Sequence, residues 1–278
     1  MTSPLSALIG PGSQPAEEDA ILEYMEMPTG MMSYHMPALP ELDDASVIAP
    51  AIACLDAVLA ALQSFVAGKG TVGVALTSLD TVNRGFIDEV LGEGEVSIVG
   101  GERLQAQESV LAGVWRVRES GADGALLSDR IEIGCLPRHL GELAFAGAAP
   151  AVRAPDGISA EGLLAAPSLL AEIHNVLITG TAPHAINLSL LPHTEEDLAL
   201  LDSHLGRGPV HILSRGYGNC RISSTATRHV WWVRYYNSQD TLILNSLEMG
   251  EVPDVARASP EDLEDSAQRL AEILGVYR

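Results

Sequence analysis

Positive charge is scarce in this chain: over 278 residues, 16 Lys and Arg stand against 37 Asp and Glu, a net charge of −21. A chain of that sign repels phosphate backbones and anionic headgroups unless it gathers its cations in one place, so nucleic acid is not an expected partner. No Lys or Arg precedes Lys69. The leading segment therefore lacks the basic region of a secretory or twin-arginine signal and the Arg-rich face of a transit peptide, and the expected location is the cytoplasm. Cysteine is equally rare. Cys54, Cys135 and Cys220 lie far apart with no C-x-x-C pair, so neither a disulfide framework nor a complete cysteine metal site can be drawn, and a reducing compartment fits. The longest nearly charge-free stretch, Ser46 to Val74, is interrupted by Asp56 and Lys69 and broken by glycines. It reads as a packed helix, with no membrane insertion. Also missing are H-E-x-x-H, G-x-S-x-G, a phosphate loop ending in Gly-Lys-Ser/Thr, and G-x-G-x-x-G after a strand, so no enzyme and no cofactor or metal is read from motifs. Apolar material is plentiful, at 47% of residues, which is enough for a buried core.

What the chain does contain is an internal repeat. Val114-Trp115-Arg116-Val117-Arg118 aligns with Val230-Trp231-Trp232-Val233-Arg234 at an offset of 116, and Leu126, Glu132, Gly134 and Pro137 meet Leu242, Glu248, Gly250 and Pro253. Upstream, Leu91-Gly92-x-Gly94-x-Val96-x-Ile98 meets Leu205-Gly206-x-Gly208-x-Val210-x-Ile212 at an offset of 114, so the second copy gains two residues between the blocks. The predicted fold is α+β by internal duplication, in two pseudo-equivalent halves, each with helices packed on a mostly antiparallel sheet. Expected boundaries are a Pro- and Met-rich arm over 1–45, a first repeat over 46–140, a linker over 141–157, a second repeat over 158–256, and a C-terminal amphipathic helix over 257–278. Helix signals are Ile52, Leu55, Leu59, Leu62 and Val66 at helical spacing, Pro167 at a helix start, the cap Thr194-x-x-Asp197, and Ser259-Pro260-Glu261-Asp262. Alternation predicts strands at 95–99, 114–119 and 125–133, then at 210–213, 220–225, 230–236 and 241–249.

Four features invite a functional reading. Arg215-Gly216-Tyr217-Gly218-Asn219-Cys220-Arg221 is able to take positive φ, and it either presents Cys220 beside two cations, which would lower the thiol pKa, or is a hairpin turn leading to a core cysteine. From Ser203 to Gln239 there is no Asp or Glu, while Arg207, Arg215, Arg221, Arg228 and Arg234 are present. This run either docks on the acidic first copy or forms a face for a carboxylate-bearing partner. Met25, Met27, Met31, Met32 and Met36 with Tyr24 and Tyr34 suit either a surface that accepts apolar segments or a strap over a core. Alternation sends Trp231 and Trp232 to opposite faces, one to the core and Trp232 to a contact surface.

These residues resemble the HupH/HyaF family of nickel-iron hydrogenase expression/formation proteins. The resemblance rests on Gly12-Ser13-Gln14-Pro15, Met27-Pro28-x-Gly30-Met31, Tyr34, Pro37, Leu39-Pro40-Glu41, Gly216 to Ile222, and Asn237-Ser238-x-Asp240-Thr241-Leu242-Ile243-Leu244. It implies a cytoplasmic accessory protein that helps to mature the iron-sulfur small subunit of an uptake hydrogenase, binding the precursor before twin-arginine export. Other maturation proteins are further expected partners. A cysteine-dependent iron-sulfur or sulfur carrier and a structural adaptor between maturation factors are the alternatives. The expected binding residues are Met25, Met27, Met31, Met32, Tyr34, Arg215, Tyr217, Asn219, Cys220, Arg221, Arg228 and Trp232.

Overall fold

The computed structural model describes residues 45–66, 73–152, 162–216 and 218–278. After a 3₁₀ turn at Ala45–Ile48, the first half runs α1 (Ala49–Val66), β1 (Val74–Ala75), α2 (Thr81–Leu91), β2 (Val96–Gly100), β3 (Leu104–Glu108), β4 (Val114–Ser120), β5 (Leu126–Ile133) and α3 (Leu140–Ala144). The second runs α4 (Ala166–Thr179), β6 (His184–Asn187), α5 (Glu195–Leu205), β7 (Val210–Ser214), β8 (Asn219–Ser224), β9 (Val230–Tyr236), β10 (Leu242–Met249) and α6 (Pro260–Val276). Every expected strand is present. Absent from the expected strands are the edge strands β1 and β6 and, inside the sheet, β3, whose Leu-Gln-Ala-Gln-Glu carries little β-propensity and is held by its neighbours β2 and β4.

The ten strands among the described residues form one sheet in the order β1-β5-β4-β3-β2-β7-β8-β9-β10-β6, with every ladder between named strands antiparallel. Read outward from the central β2–β7 ladder, both halves have the same order. In that ladder Val96 pairs with Ser214, Ile98 with Ile212 and Gly100 with Val210, so positions 114 residues apart exchange places about the Ile98–Ile212 pair.

The helix ends are capped alike in the two halves. Asp80 caps α2 by accepting from the Asn83 N–H at 2.8 Å. The Asn83 side chain, itself buried, accepts from Ala51 N–H in the first turn of α1 at 2.9 Å. Thr194 and Asp197 form a capping box on α5, and the fully buried Asp197 also accepts from the N–H groups of Leu164, Ala165 and Ala166 at the start of α4. Each inner helix thus supplies the acceptor that its neighbour's first turn lacks.

Period-two alternation distributes the core over both sheet faces. One face buries Ile98, Ala106, Trp115, Val117, Ile212, Cys220, Ile222, Trp231 and Val233 in a single cluster under α3, Phe145 and the 252–256 segment. Trp115 and Trp231 are both fully buried there. On the other face α1, α2 and α6 cover Val114, Ile131 and Ile133, while α4 and α5 cover Val230, Trp232, Leu247 and Met249. Helix α1 is long and apolar enough to cross a membrane by composition, yet Leu55, Val58, Leu59 and Leu62 are spent on this first-half core. Helix α6 returns from the second half to complete it with Leu263, Leu270, Ile273 and Leu274.

Candidate functional site: an open sheet face

Among the described residues, the two helical layers leave the middle of their sheet face bare: the clusters beneath them contain no residue of β2, β3, β7 or β8. Register places two rows of side chains across it. One row reads Arg118, Gln105, Val99, His211, Ser223 and Trp232, and the other Arg116, Gln107, Ser97, Leu213, Arg221 and Arg234. Six strands at about 4.8 Å spacing make this band roughly 24 Å wide. Its outer ends are closed by buried side chains. Arg116 is held by Asp129, with Nη2 to Oδ2 at 2.7 Å, and by Asp88. Trp232 donates from Nε1 to Asn245 Oδ1 at 2.6 Å. Arg116 and Asp129 stand 116 residues before Trp232 and Asn245, so one position is filled by an ion pair in one half and by a neutral hydrogen bond in the other.

Between those ends the face is polar and cationic. Arg118 is half-exposed, 3.7 Å from Asp88 and from Asp129. Arg221 and Arg234 are directly opposed across β8 and β9, a like-charge pairing that costs stability unless an anion relieves it. Each lies over an aromatic ring at 4.5 Å, Arg221 over Tyr236 and Arg234 over Trp232. Arg221 reaches a carboxylate, Asp240, only at 3.5 Å. Arg234 has no carboxylate within ion-pair distance among the described residues, and burial pushes its pKa down. The ion pairs given to the acid-free run are therefore local, Arg207 with Asp202 and Arg221 with Asp240, rather than with the acidic first half.

Three expectations from the sequence are corrected. Cys220 is not presented beside cations. Adjacent strand residues point to opposite faces, so Arg221 turns to the open face while Cys220 enters the covered cluster with 1% exposure. Burial pushes its thiol up to about 11, against a smaller opposing effect of the Tyr235 side chain. Trp232, expected at a contact surface, is also buried, because α4 and α5 cover its face. Arg215 and Arg228 do not share a face: Arg215 is in the β7–β8 turn and Arg228 in the β8–β9 turn, at opposite ends of a six-residue strand about 20 Å long. Both are exposed. Asn219 is half-buried at the start of β8 and pairs with Tyr236. Met25, Met27, Met31, Met32, Tyr34 and Tyr217 lie outside the described residues.

The glycine-rich motif takes the form of a lengthened hairpin. Gly100 pairs with Leu104 in the first half, but Ser214 pairs with Cys220 in the second, so the two extra residues fall in this turn. Gly218 has φ +94, and a Cβ on Gly216 would meet Glu95 Oε2 at 2.0 Å. Leu213 and Ser223, half-buried on this face, are not among the surface residues expected from the sequence. Their signal is the alternation itself, in which a strand that is polar at every second residue shows one uncovered face.

A family model for the HupH hydrogenase expression protein, C-terminal conserved region, matches the chain twice, over residues 48–143 and 163–277. The hydrogenase expression/formation protein HupH of Rhodobacter capsulatus is 47% identical over 273 residues, covering 97% of this chain and 96% of that protein. HoxQ of Cupriavidus necator is 45% identical over 276 residues, covering 96% and 95%. The hydrogenase-1 operon protein HyaF of Escherichia coli is 34% identical over 275 residues, covering 96% and 94%. A solved structure of the hydrogenase expression protein HupH from Thiobacillus denitrificans, 33% identical, covers 40% of this chain and 93% of its own, with a TM-score of 0.35. On near-complete coverage by these relatives, the chain belongs to the HupH family of hydrogenase expression/formation proteins.

Proposed function

We propose that this chain is a non-catalytic accessory protein of hydrogenase maturation that binds the precursor of the iron-sulfur small subunit in the cytoplasm, before twin-arginine export. The relatives' names support the maturation role. The observation that carries the binding role is the cationic band across β4, β3, β2, β7, β8 and β9, left uncovered among the described residues, with Arg118 at one end and the opposed Arg221 and Arg234 at the other. A protein with net charge −21 that keeps two guanidinium groups opposed on an open face has prepared a place for an acidic surface. In this reading the band meets the folded portion of the subunit, and the methionine-rich arm accepts an apolar segment. A sulfur or iron-sulfur carrier centred on Cys220 finds no support, because a buried thiol pushed up to about 11 supplies little thiolate.

We further infer that the two halves descend from one duplicated unit. Supporting this are the family region matched twice, the shared strand order, and the symmetric register about Ile98 and Ile212.

The test is capture of a tagged small-subunit precursor by the purified protein. Arg118→Glu with Arg221→Glu should reduce capture at least tenfold at low salt, and Ser at positions 25, 27, 31 and 32 in place of Met should weaken the part of binding that survives high salt. Undiminished capture by both variants would sink the proposal.

A further inference from the structure

Each half carries a cleft at the same place in its repeat. The smaller, about 270 Å³, lies at Glu132, Gly134 and Arg138, and the larger, about 560 Å³, at Glu248, Gly250 and Asp254. An offset of 116 residues converts one set into the other. Arg257 contributes to the wall of both.

The difference between them is a cation. In the smaller cleft the Glu132 carboxylate is neutralised from within: Arg130 Nε donates to Oε1 at 2.7 Å, and the Arg138 backbone N–H donates to Oε2 at 2.7 Å. In the second half the position of Arg130 is taken by Ser246 and that of Arg138 by Asp254. Glu248 is left with the Ser246 hydroxyl at 3.5 Å and no cation within ion-pair distance among the described residues. Arg257 does not serve it, being held by Glu251 at 3.0 Å and Asp254 at 3.9 Å. Burial pushes the Glu248 carboxyl above its ordinary range, and Asp254 adds to the push. The tryptophans differ in the same sense. Trp115 Nε1 donates to the Gly134 carbonyl at 2.9 Å, whereas the Nε1 of its counterpart Trp231, fully buried, has no partner among the described residues. Ala182, Pro183, Ala185 and Val252 give the larger cleft apolar walls around this unmatched carboxylate.

We propose that the larger cleft receives one cationic side chain, arginine or lysine, carried on an extended apolar segment of a polypeptide partner, with Glu248 as its counter-charge. The inference rests on the reading of this chain as a polypeptide-binding protein. The first half shows the filled form of the site, with the cation built in, and the second half keeps the carboxylate, deletes the cation and enlarges the space. An alkyl stem fits the apolar walls while its charged head meets Glu248. Arginine is favoured over lysine, since its planar fork can serve a carboxylate and a second acceptor together.

A capped heptapeptide with one arginine among leucines and alanines, and the same peptide with uncharged citrulline in its place, test the cleft by calorimetric titration. The wild-type protein should bind the arginine peptide at least tenfold more tightly. Glu248→Gln should abolish that preference, and so should Ser246→Arg, which restores the first half's cation. Glu132→Gln should keep it. No saturable binding, equal affinity for the two peptides, or a preference surviving in both cleft variants at unchanged melting temperature overturns the proposal. Precursor capture separates the two readings. Capture by the wild type but equally by Glu248→Gln refutes the cleft and spares the proposed function. Absence of wild-type capture refutes the function, and the peptide titration then decides the cleft alone.

Discussion

Glu108 makes the stability of this protein depend on pH in the direction opposite to most carboxylates. The residue is 6% exposed at the end of β3, and its Oε1 accepts from the Gly113 N–H at 3.0 Å. Burial pushes its pKa from 4.5 to about 7, partly opposed by that hydrogen bond and reinforced by Glu95 and Asp262. In the unfolded chain the group titrates near its ordinary value. Between about pH 4.5 and 7 the folded state therefore holds a proton that the unfolded state has released, and stability falls as pH rises through this window. At about 1.4 kcal/mol per pH unit, the full window corresponds to about 3 kcal/mol lost by pH 8. Glu108→Gln keeps an oxygen acceptor for Gly113 and removes the titration. The variant should match the wild type within about 0.5 kcal/mol at pH 4.5 and exceed it by about 2–3 kcal/mol at pH 8, measured by urea unfolding at both pH values. An identical difference at the two pH values would refute the reasoning, as would a variant less stable at pH 8.

Asp197 works in the opposite sense. Burial alone would raise its pKa, but backbone N–H groups of Ala166, Thr194, Ala165 and Leu164 lower it overall, so its stabilisation is present above the ordinary carboxylate pKa and is lost as pH falls through the depressed one. Asp197→Ala should cost about 3 kcal/mol or more in chemical unfolding at pH 7, and Asp197→Asn should cost less, as Asn83 does the corresponding work on α1. For the thiols, a disulfide reagent added to native protein should modify Cys135 first, because Cys54 and Cys220 are buried and both are pushed up to about 11. Reaction of all three at one rate would contradict their burial.

Much of the architecture was legible because blocks of similar residues recur along the sequence. The offsets of 114 and 116 located equivalent strands, and the change between them marked the lengthened β7–β8 turn. Capping signals at Thr194 and Ser259 held because their hydrogen bonds close within three residues. What could not be read depends on partners distant in sequence. The side of β8 that would be covered decided between a reactive and an inert Cys220, and that covering comes from α3 and the 252–256 segment. Arg215 and Arg228 looked like one patch because charge was counted along the chain, whereas a hairpin carries neighbours in sequence to opposite ends of the sheet. The unmatched Glu248 was invisible for a related reason: it stands out only once the Arg130–Glu132 pair shows what the same place holds in the other half.

The return of α6 to the first half constrains the order in which this protein can be made. Helix α1 and β5 are synthesised early, but the cluster that buries them includes Leu263, Leu270, Ile273 and Leu274. Some 194 residues separate the end of α1 from the start of α6, a delay of roughly 10–40 s at ribosomal speed. Through that interval Leu55, Leu59 and Leu62 lack part of their cover, so the first half behaves as a client awaiting its own final helix, and a stalled ribosome would release a sticky, protease-sensitive fragment rather than a folded half.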